Sequence, residues 1–265
     1  MQTDPFAGFK AAQREGWALF APLETLTTPP AGLLVDFAGV RADQRVLDVA
    51  CGTGVVAVTA ARRGAQVKAL DLAPALLERA EHNARLAEVS IEFKEGDVEA
   101  LPYADASFDV VLSQFGHMFG PRPAVTIGEM LRVLRPGGTL AFSTWPPEMF
   151  TGQVFLLIMR YLSPPPGVPP TTDWGNTDIV RERLGEAVKD IVFMREVMNT
   201  PALSPAHYRT AFERSAAPVI KLVESLKDDA PRLARFRAEL DSLISLYLQH
   251  NVLRQHFLMT RAIRR

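Results

Sequence analysis

Apolar and polar positions follow two rhythms along this chain, and the change comes near residue 146. Between Arg45 and Trp145, short apolar runs bounded by turn residues alternate with longer alanine- and leucine-rich segments. This is the pattern of a parallel sheet with helices on both faces. The first run, Val46-Leu47-Asp48-Val49, is apolar except for one acid and reads as a buried strand. A turn through Ala50-Cys51-Gly52-Thr53-Gly54 follows, and Val55 to Arg63 reads as a helix. Ahead of this region, residues 6–20 predict a helix with Phe6, Phe9, Trp17 and Phe20 as its apolar members. Thr28-Pro29-Pro30 predicts the start of a second helix reaching Val40. Beyond Trp145, Phe150 to Leu162 reads as an apolar helix and Pro164 to Pro170 as a loop. Asp190 to Met198 reads as a strand. Pro205 to Leu226 and Ala230 to Gln249 read as two helices. The second carries Leu233, Phe236, Leu240, Leu243, Ile244 and Tyr247 on one stripe. Gln255 to Ile263 reads as a final strand. The expected division is an N-terminal helical cover (1–39), a ligand-binding core (40–146), and a third part (147–265) with the last strands and helical cover insertions.

A strand, a glycine-rich turn and a helix make a ligand-binding element. Glycines admit the ligand to the backbone, and the helix N-terminus presents free N–H groups. The turn alone is ambiguous, because Gly52-x-Gly54-x-x-Ala57 also satisfies a loose dinucleotide fingerprint. Asp48 tips the balance. A carboxylate there suits a ligand with a positive charge, such as an amino acid's ammonium, and suits a pyrophosphate badly.

Val46-Leu47-Asp48-Val49-Ala50-Cys51-Gly52-Thr53-Gly54 resembles the first motif of class I S-adenosylmethionine-dependent methyltransferases. Further segments agree in order: Val67 to Leu72 with its terminal acid Asp71, Gly96-Asp97-Val98, Ser107-Phe108-Asp109-Val110-Val111-Leu112, and Arg132-Val133-Leu134-Arg135-Pro136-Gly137-Gly138. The resemblance spans roughly residues 40 to 146 and is nearest to the ubiquinone/menaquinone-biosynthesis methyltransferase-like group. It implies an α/β fold, a seven-stranded, mostly parallel doubly wound sheet of Rossmann-like type, completed by the two late strands. S-adenosylmethionine is the implied cofactor. Its implied contacts are Asp48, Ala50, Gly52, Thr53 and Gly54 in the turn, Asp71 on the ribose hydroxyls with Leu72 beside it, Asp97 and Val98 on the adenine, and Ser113 after the fourth strand. Ala50 departs from the family pattern, in which many relatives carry a glycine.

Composition narrows the rest. The chain has 265 residues, 48% of them hydrophobic, with a formal net charge of −1, so nucleic acid is not an expected partner. One cysteine excludes an internal disulfide and, with the scattered histidines, makes a metal site unexpected. No apolar run is long enough to span a bilayer. The opening MQTDPFAGFK lacks a signal-peptide pattern, so a cytoplasmic location is expected. Methyl transfer needs mainly proximity, orientation and exclusion of water, with a base only where the acceptor must lose a proton. His117, just past the fourth strand, is the candidate base. Trp17, Phe115, Met118 and Trp145 are candidates for the pocket of a small-molecule acceptor, and Trp174 is a further one. Two rival functions share parts of this pattern: a nicotinamide-dependent oxidoreductase, and a protein that binds S-adenosylmethionine as a sensor or scaffold without turnover.

Overall fold

The computed structural model describes residues 4–265. Two helices open it, α1 (Ala7–Trp17) and α2 (Glu24–Ala38). The alternating part follows as β1 (Arg45–Val49), α3 (Val55–Arg62), β2 (Gln66–Asp71), α4 (Pro74–Leu86), β3 (Ile91–Glu95), β4 (Phe108–Gln114), α5 (Pro123–Val133) and β5 (Leu134–Thr144). The last part comprises α6 (Phe150–Tyr161), α7 (Thr177–Leu184), β6 (Val188–Pro201), α8 (Pro205–Ser215), α9 (Ala217–Ser225), α10 (Ala230–Tyr247), β7 (Leu248–Gln249) and β8 (Val252–Arg264).

The sheet runs β3-β2-β1-β4-β5-β8-β6. The first five strands are parallel; β8 runs antiparallel to β5 and to β6. These seven strands match the predicted number. The eighth, β7, is a two-residue hairpin partner of β8. His250 and Asn251 join them with both φ positive (51° and 60°), the pattern of a two-residue primed turn. The predicted helix over Ala230–Gln249 therefore ends two residues early.

Two other predicted boundaries move. The second helix begins at Glu24 rather than Thr28, placing Pro29 and Pro30 inside it. The hydroxyls of Thr27 and Thr28 both donate to the Glu24 carbonyl in the turn ahead of the prolines. The single helix expected over Pro205–Leu226 is broken at Ala216, which is extended (φ −99°, ψ 108°) ahead of Pro218. A proline carries no N–H to continue the ladder, so the chain restarts as α9.

Two apolar cores result. One surrounds the sheet: Val46, Leu47, Val49, Val111, Leu112 and Leu140 are fully or almost fully buried. Each such side chain contributes roughly 1.5–3 kcal/mol by leaving water. Helix α2 packs Ala31, Leu34 and Val35 into this core. The second core joins Phe150, Val154 and Leu157 of α6 to Val219 and Leu222 of α9, and to Phe236, Leu240 and Ile244 of α10. It forms a helical cover over the strand ends.

Candidate active site

In the strand order, β1 lies between β2 and β4, so the connections leave it in opposite directions. Open parallel sheets bind ligands in the crevice this creates at the carboxyl ends of the strands. A cavity of about 220 Å³ opens there, between the sheet and the cover.

The turn after β1 is one wall. Ala50, Gly52 and Gly54 all have left-handed backbones (φ 54°, 54° and 77°). An alanine in that region costs about 1–2 kcal/mol relative to the right-handed one. Space for its methyl comes from across the crevice: a Cβ added at Gly116 would lie 2.6 Å from the Ala50 Cβ. The departure from glycine at position 50 is thus accommodated by glycine at position 116. Asp71 clamps this turn to the end of β2, its Oδ2 accepting from the Gly52 N–H at 2.8 Å and its Oδ1 from the Ala73 N–H at 2.9 Å.

Asp48 is buried in β1. Its Oδ2 accepts from the Ala57 N–H at 3.0 Å at the start of α3, and its Oδ1 has no partner. Burial pushes its pKa well above the usual carboxylate range, and the nearby Asp71 charge adds to this. Two more residues of the same wall hold unpartnered buried atoms, Thr53 Oγ1 and Gln114 Oε1. The Gln114 amide nitrogen donates to the Thr27 carbonyl at 2.8 Å, which fixes the side chain. Buried polar atoms are nearly always paired in folded proteins. A carboxylate oxygen and an amide oxygen left open beside one cavity match a ligand that brings N–H donors and positive charge.

Beyond β3, Asp97 accepts the Glu99 N–H on Oδ1 at 2.9 Å, and its Oδ2 lies 2.6 Å from Lys10 Nζ. Lys10 also pairs with Asp4 (2.7 Å) and Glu99 (2.6 Å). Burial works against its charge, but these carboxylates outweigh burial and hold its pKa above the ordinary lysine value. Asp4, Asp97 and Glu99 converge closely enough to resemble a cation site. The Lys10 ammonium lies among them and Arg122 pairs with Glu99 at 2.7 Å, so the cluster is an ion-pair network tying α1 across the loop of Asp97 and Val98.

The opposite end of the cavity is aromatic. Phe115 and Trp145 stack with centroids 4.0 Å apart. Phe115 also has a positive φ (60°), a strained backbone for a bulky residue and one that recurs at functional sites. Phe119 bridges Trp17 (4.7 Å) and Phe155 (6.0 Å). Val154, Ile158, Met198, Phe212 and Val219 complete the wall with three polar side chains, Thr151, Tyr208 and Gln255.

Of the residues singled out in the sequence, Asp48, Ala50, Gly52, Thr53, Asp71, Leu72, Asp97, Val98, Trp17, Phe115 and Trp145 line this one cavity. Four do not. Gly54 packs instead against α4, where an added Cβ would meet the Ala80 Cβ at 2.9 Å. Ser113 is fully buried; its hydroxyl donates to the Val49 carbonyl at 2.7 Å and accepts the His117 N–H at 3.2 Å. Met118 is in the core at 2% exposure. His117 must be corrected as a base: it is fully buried, with its ring against Phe142 (4.6 Å) and Trp174 (4.7 Å) and both ring nitrogens unpartnered. Burial, with the Arg183 charge nearby, holds its pKa down at about 3. Trp174 shares that core and is not in the wall. Sequence reasoning missed Lys10, Tyr208 and Gln255. Lys10 carried a signal, a cation between Phe9 and Ala11; Gln255, flanked by Arg254 and His256, and Tyr208 carried none.

Known proteins share this fold and parts of this sequence. The family profile described as "Methyltransferase domain" matches residues 47–142. The chain is 36% identical to the uncharacterized protein Rv1403c of Mycobacterium tuberculosis over 94% of its own length and 93% of the relative's. It is 37% identical to a demethylmenaquinone methyltransferase of Deinococcus radiodurans over 56% of this chain and 58% of that one. The crystal structure of the YcgJ protein from Bacillus subtilis superposes with a TM-score of 0.58 at 18% identity, covering 89% of this chain and 97% of that one. The matched stretch holds the β1 turn, Asp71, Asp97 and the β4 terminus, the cavity wall built above from geometry alone, and by fold and sequence the chain belongs to the class I S-adenosylmethionine-dependent methyltransferases.

Proposed function

We propose that the protein methylates a small, uncharged and largely apolar acceptor, with S-adenosylmethionine held at the carboxylate-lined end of the cavity. The observation that carries this is the segregation of charge. Every acidic or basic side chain in the wall (Lys10, Asp48, Asp71 and Asp97) belongs to the end formed by the β1 turn, β2, the loop after β3 and α1. The end formed by Trp145, α6, α8, α9 and β8 has none, and an ion placed there would lose its hydration without a partner.

At the charged end, Asp48 Oδ1 and Gln114 Oε1 fit an amino acid ammonium. Asp71 has two oxygens that each already take one backbone N–H, leaving lone pairs for ribose hydroxyls. Asp97 and the Val98 backbone fit an adenine edge, with Lys10 holding the Asp97 carboxylate in place. When bound, the cofactor supplies a methyl already activated by its sulfonium.

The protein's share is then placement and dryness, which can contribute roughly 7–11 kcal/mol. Phe115, Trp145, Phe119 and Phe155 exclude water between the two ends. No histidine lines the cavity, and Tyr208, the titratable group of the apolar end, has its pKa pushed up by burial. Transfer therefore relies on orientation, and an acceptor that is nucleophilic without help from a side-chain base fits best. The test is transfer of radiolabelled methyl to a panel of neutral aromatic, amine and phosphorylated acceptors. Turnover is expected with neutral aromatic ones. Turnover confined to phosphorylated or charged acceptors would refute the proposal.

A further inference from the structure

The polar side chains at the apolar end are few, and one of them has no partner in the protein. Gln255 stands on β8 at 4% exposure. The Thr151 hydroxyl of α6 donates to Gln255 Oε1 at 3.1 Å, and Gln255 Nε2 donates to Thr200 Oγ1 of β6 at 2.7 Å. Tyr208 of α8 lines the same wall at 7% exposure, and its hydroxyl carries a proton to give. Among the described residues no side chain or carbonyl takes that proton, and Tyr208 stands in the cavity wall. Its ring cannot swing freely, because Phe150 (5.8 Å) and Phe212 (5.2 Å) hold it on two sides.

We propose that Tyr208 is the specificity donor of the acceptor chamber: it gives one hydrogen bond to an oxygen (ether, carbonyl or hydroxyl) of an otherwise apolar acceptor. This rests on the cofactor and acceptor assignment above and adds a feature of the acceptor. Apolar walls select for shape alone, whereas one buried donor without a protein partner penalises any ligand that leaves it unpaired.

Anisole and ethylbenzene test this, since they share a shape and differ by one oxygen that can only accept. Their binding is measured by ligand-observed NMR on the full chain saturated with S-adenosylhomocysteine, whose own affinity is measured first by calorimetry. The wild-type protein should prefer anisole by roughly tenfold, the scale of one neutral hydrogen bond. Tyr208→Phe should abolish the preference by weakening anisole alone. The variant should keep its S-adenosylhomocysteine affinity, which also reports that it folds. Equal binding of the two probes by the wild-type protein, binding of neither, or a preference that survives Tyr208→Phe would overturn the inference and leave the cofactor assignment standing. Failure of the wild-type protein to bind S-adenosylhomocysteine would overturn the cofactor assignment and this inference with it.

Discussion

The two ends of the cavity are built by different means. At the charged end, position comes from the backbone: strand termini fixed by sheet register, left-handed turn residues, and carboxylates that grip main-chain N–H groups. At the apolar end, position comes from side chains on separately packed helices, which share a core of their own around Phe150, Phe236 and Leu240. A backbone-built site leaves a local signature of short motifs at fixed spacing. One built by packing leaves only periodicity, because many apolar sets fill the same space. The first end should then answer to single polar changes in cofactor affinity, and the second to volume changes in stability and acceptor choice.

The largest expected effect falls on the cover. Phe236 is fully buried in its core. Phe236→Ala should lower stability by about 3–5 kcal/mol, the usual scale for emptying a buried aromatic site. Denaturant unfolding measures this, and S-adenosylhomocysteine affinity below the transition should stay close to that of the wild type. If affinity collapses in parallel, the two ends are one cooperative unit and the contrast fails.

Next is Asp71→Ala. Bonds to a charged group contribute about 1.5–3 kcal/mol each, so cofactor affinity should fall by at least tenfold. Loss of the Gly52 clamp acts in the same direction. Calorimetry with S-adenosylhomocysteine reads this directly. An unchanged affinity would remove Asp71 from the site.

A smaller effect concerns pH. Burial raises the Asp48 pKa, favouring its protonated form in the unliganded protein. A cationic ligand favours the carboxylate, so binding should release protons, and affinity should rise with pH through the Asp48 pKa. The heat of binding should accordingly vary with the ionisation enthalpy of the buffer, and Asp48→Asn should remove that dependence.

On methyl transfer itself, His117 should have the least effect. Its pKa falls from the ordinary 6.5 to about 3 on folding, so below pH 6.5 the unfolded chain binds the extra proton. Stability should therefore drop as pH falls from 6.5 toward 3. His117→Phe should flatten that part of the curve and leave the rate of methyl transfer, and its pH profile, unchanged. A large fall in kcat would restore the histidine to the chemistry.

The same contrast decides what could be read in the sequence. The alternation of strand and helix, the acid in β1 and the acid ending β2 were legible because each is fixed by its own segment. The placement of His117 was not. Whether a residue three positions past a strand points into the crevice or back beneath it depends on the turn that Phe115 makes at φ 60°, and no local propensity encodes that. Tyr208 and Gln255 are about fifty residues apart and share one wall only because β8 returns beside β6. Of the cover, the amphipathic stripe of α10 could be read, but not the faces of α6 and α9 that it packs against.

The contact between Ala50 and Gly116 has an evolutionary consequence. A side chain at 116 would meet both the Ala50 Cβ and the Ala50 carbonyl oxygen at 2.6 Å. A return to glycine at 50 relieves backbone strain there but leaves the carbonyl in the way. Position 116 is therefore closed to growth whichever residue stands at 50, and a lineage that remodels the chamber has to do so elsewhere in the wall.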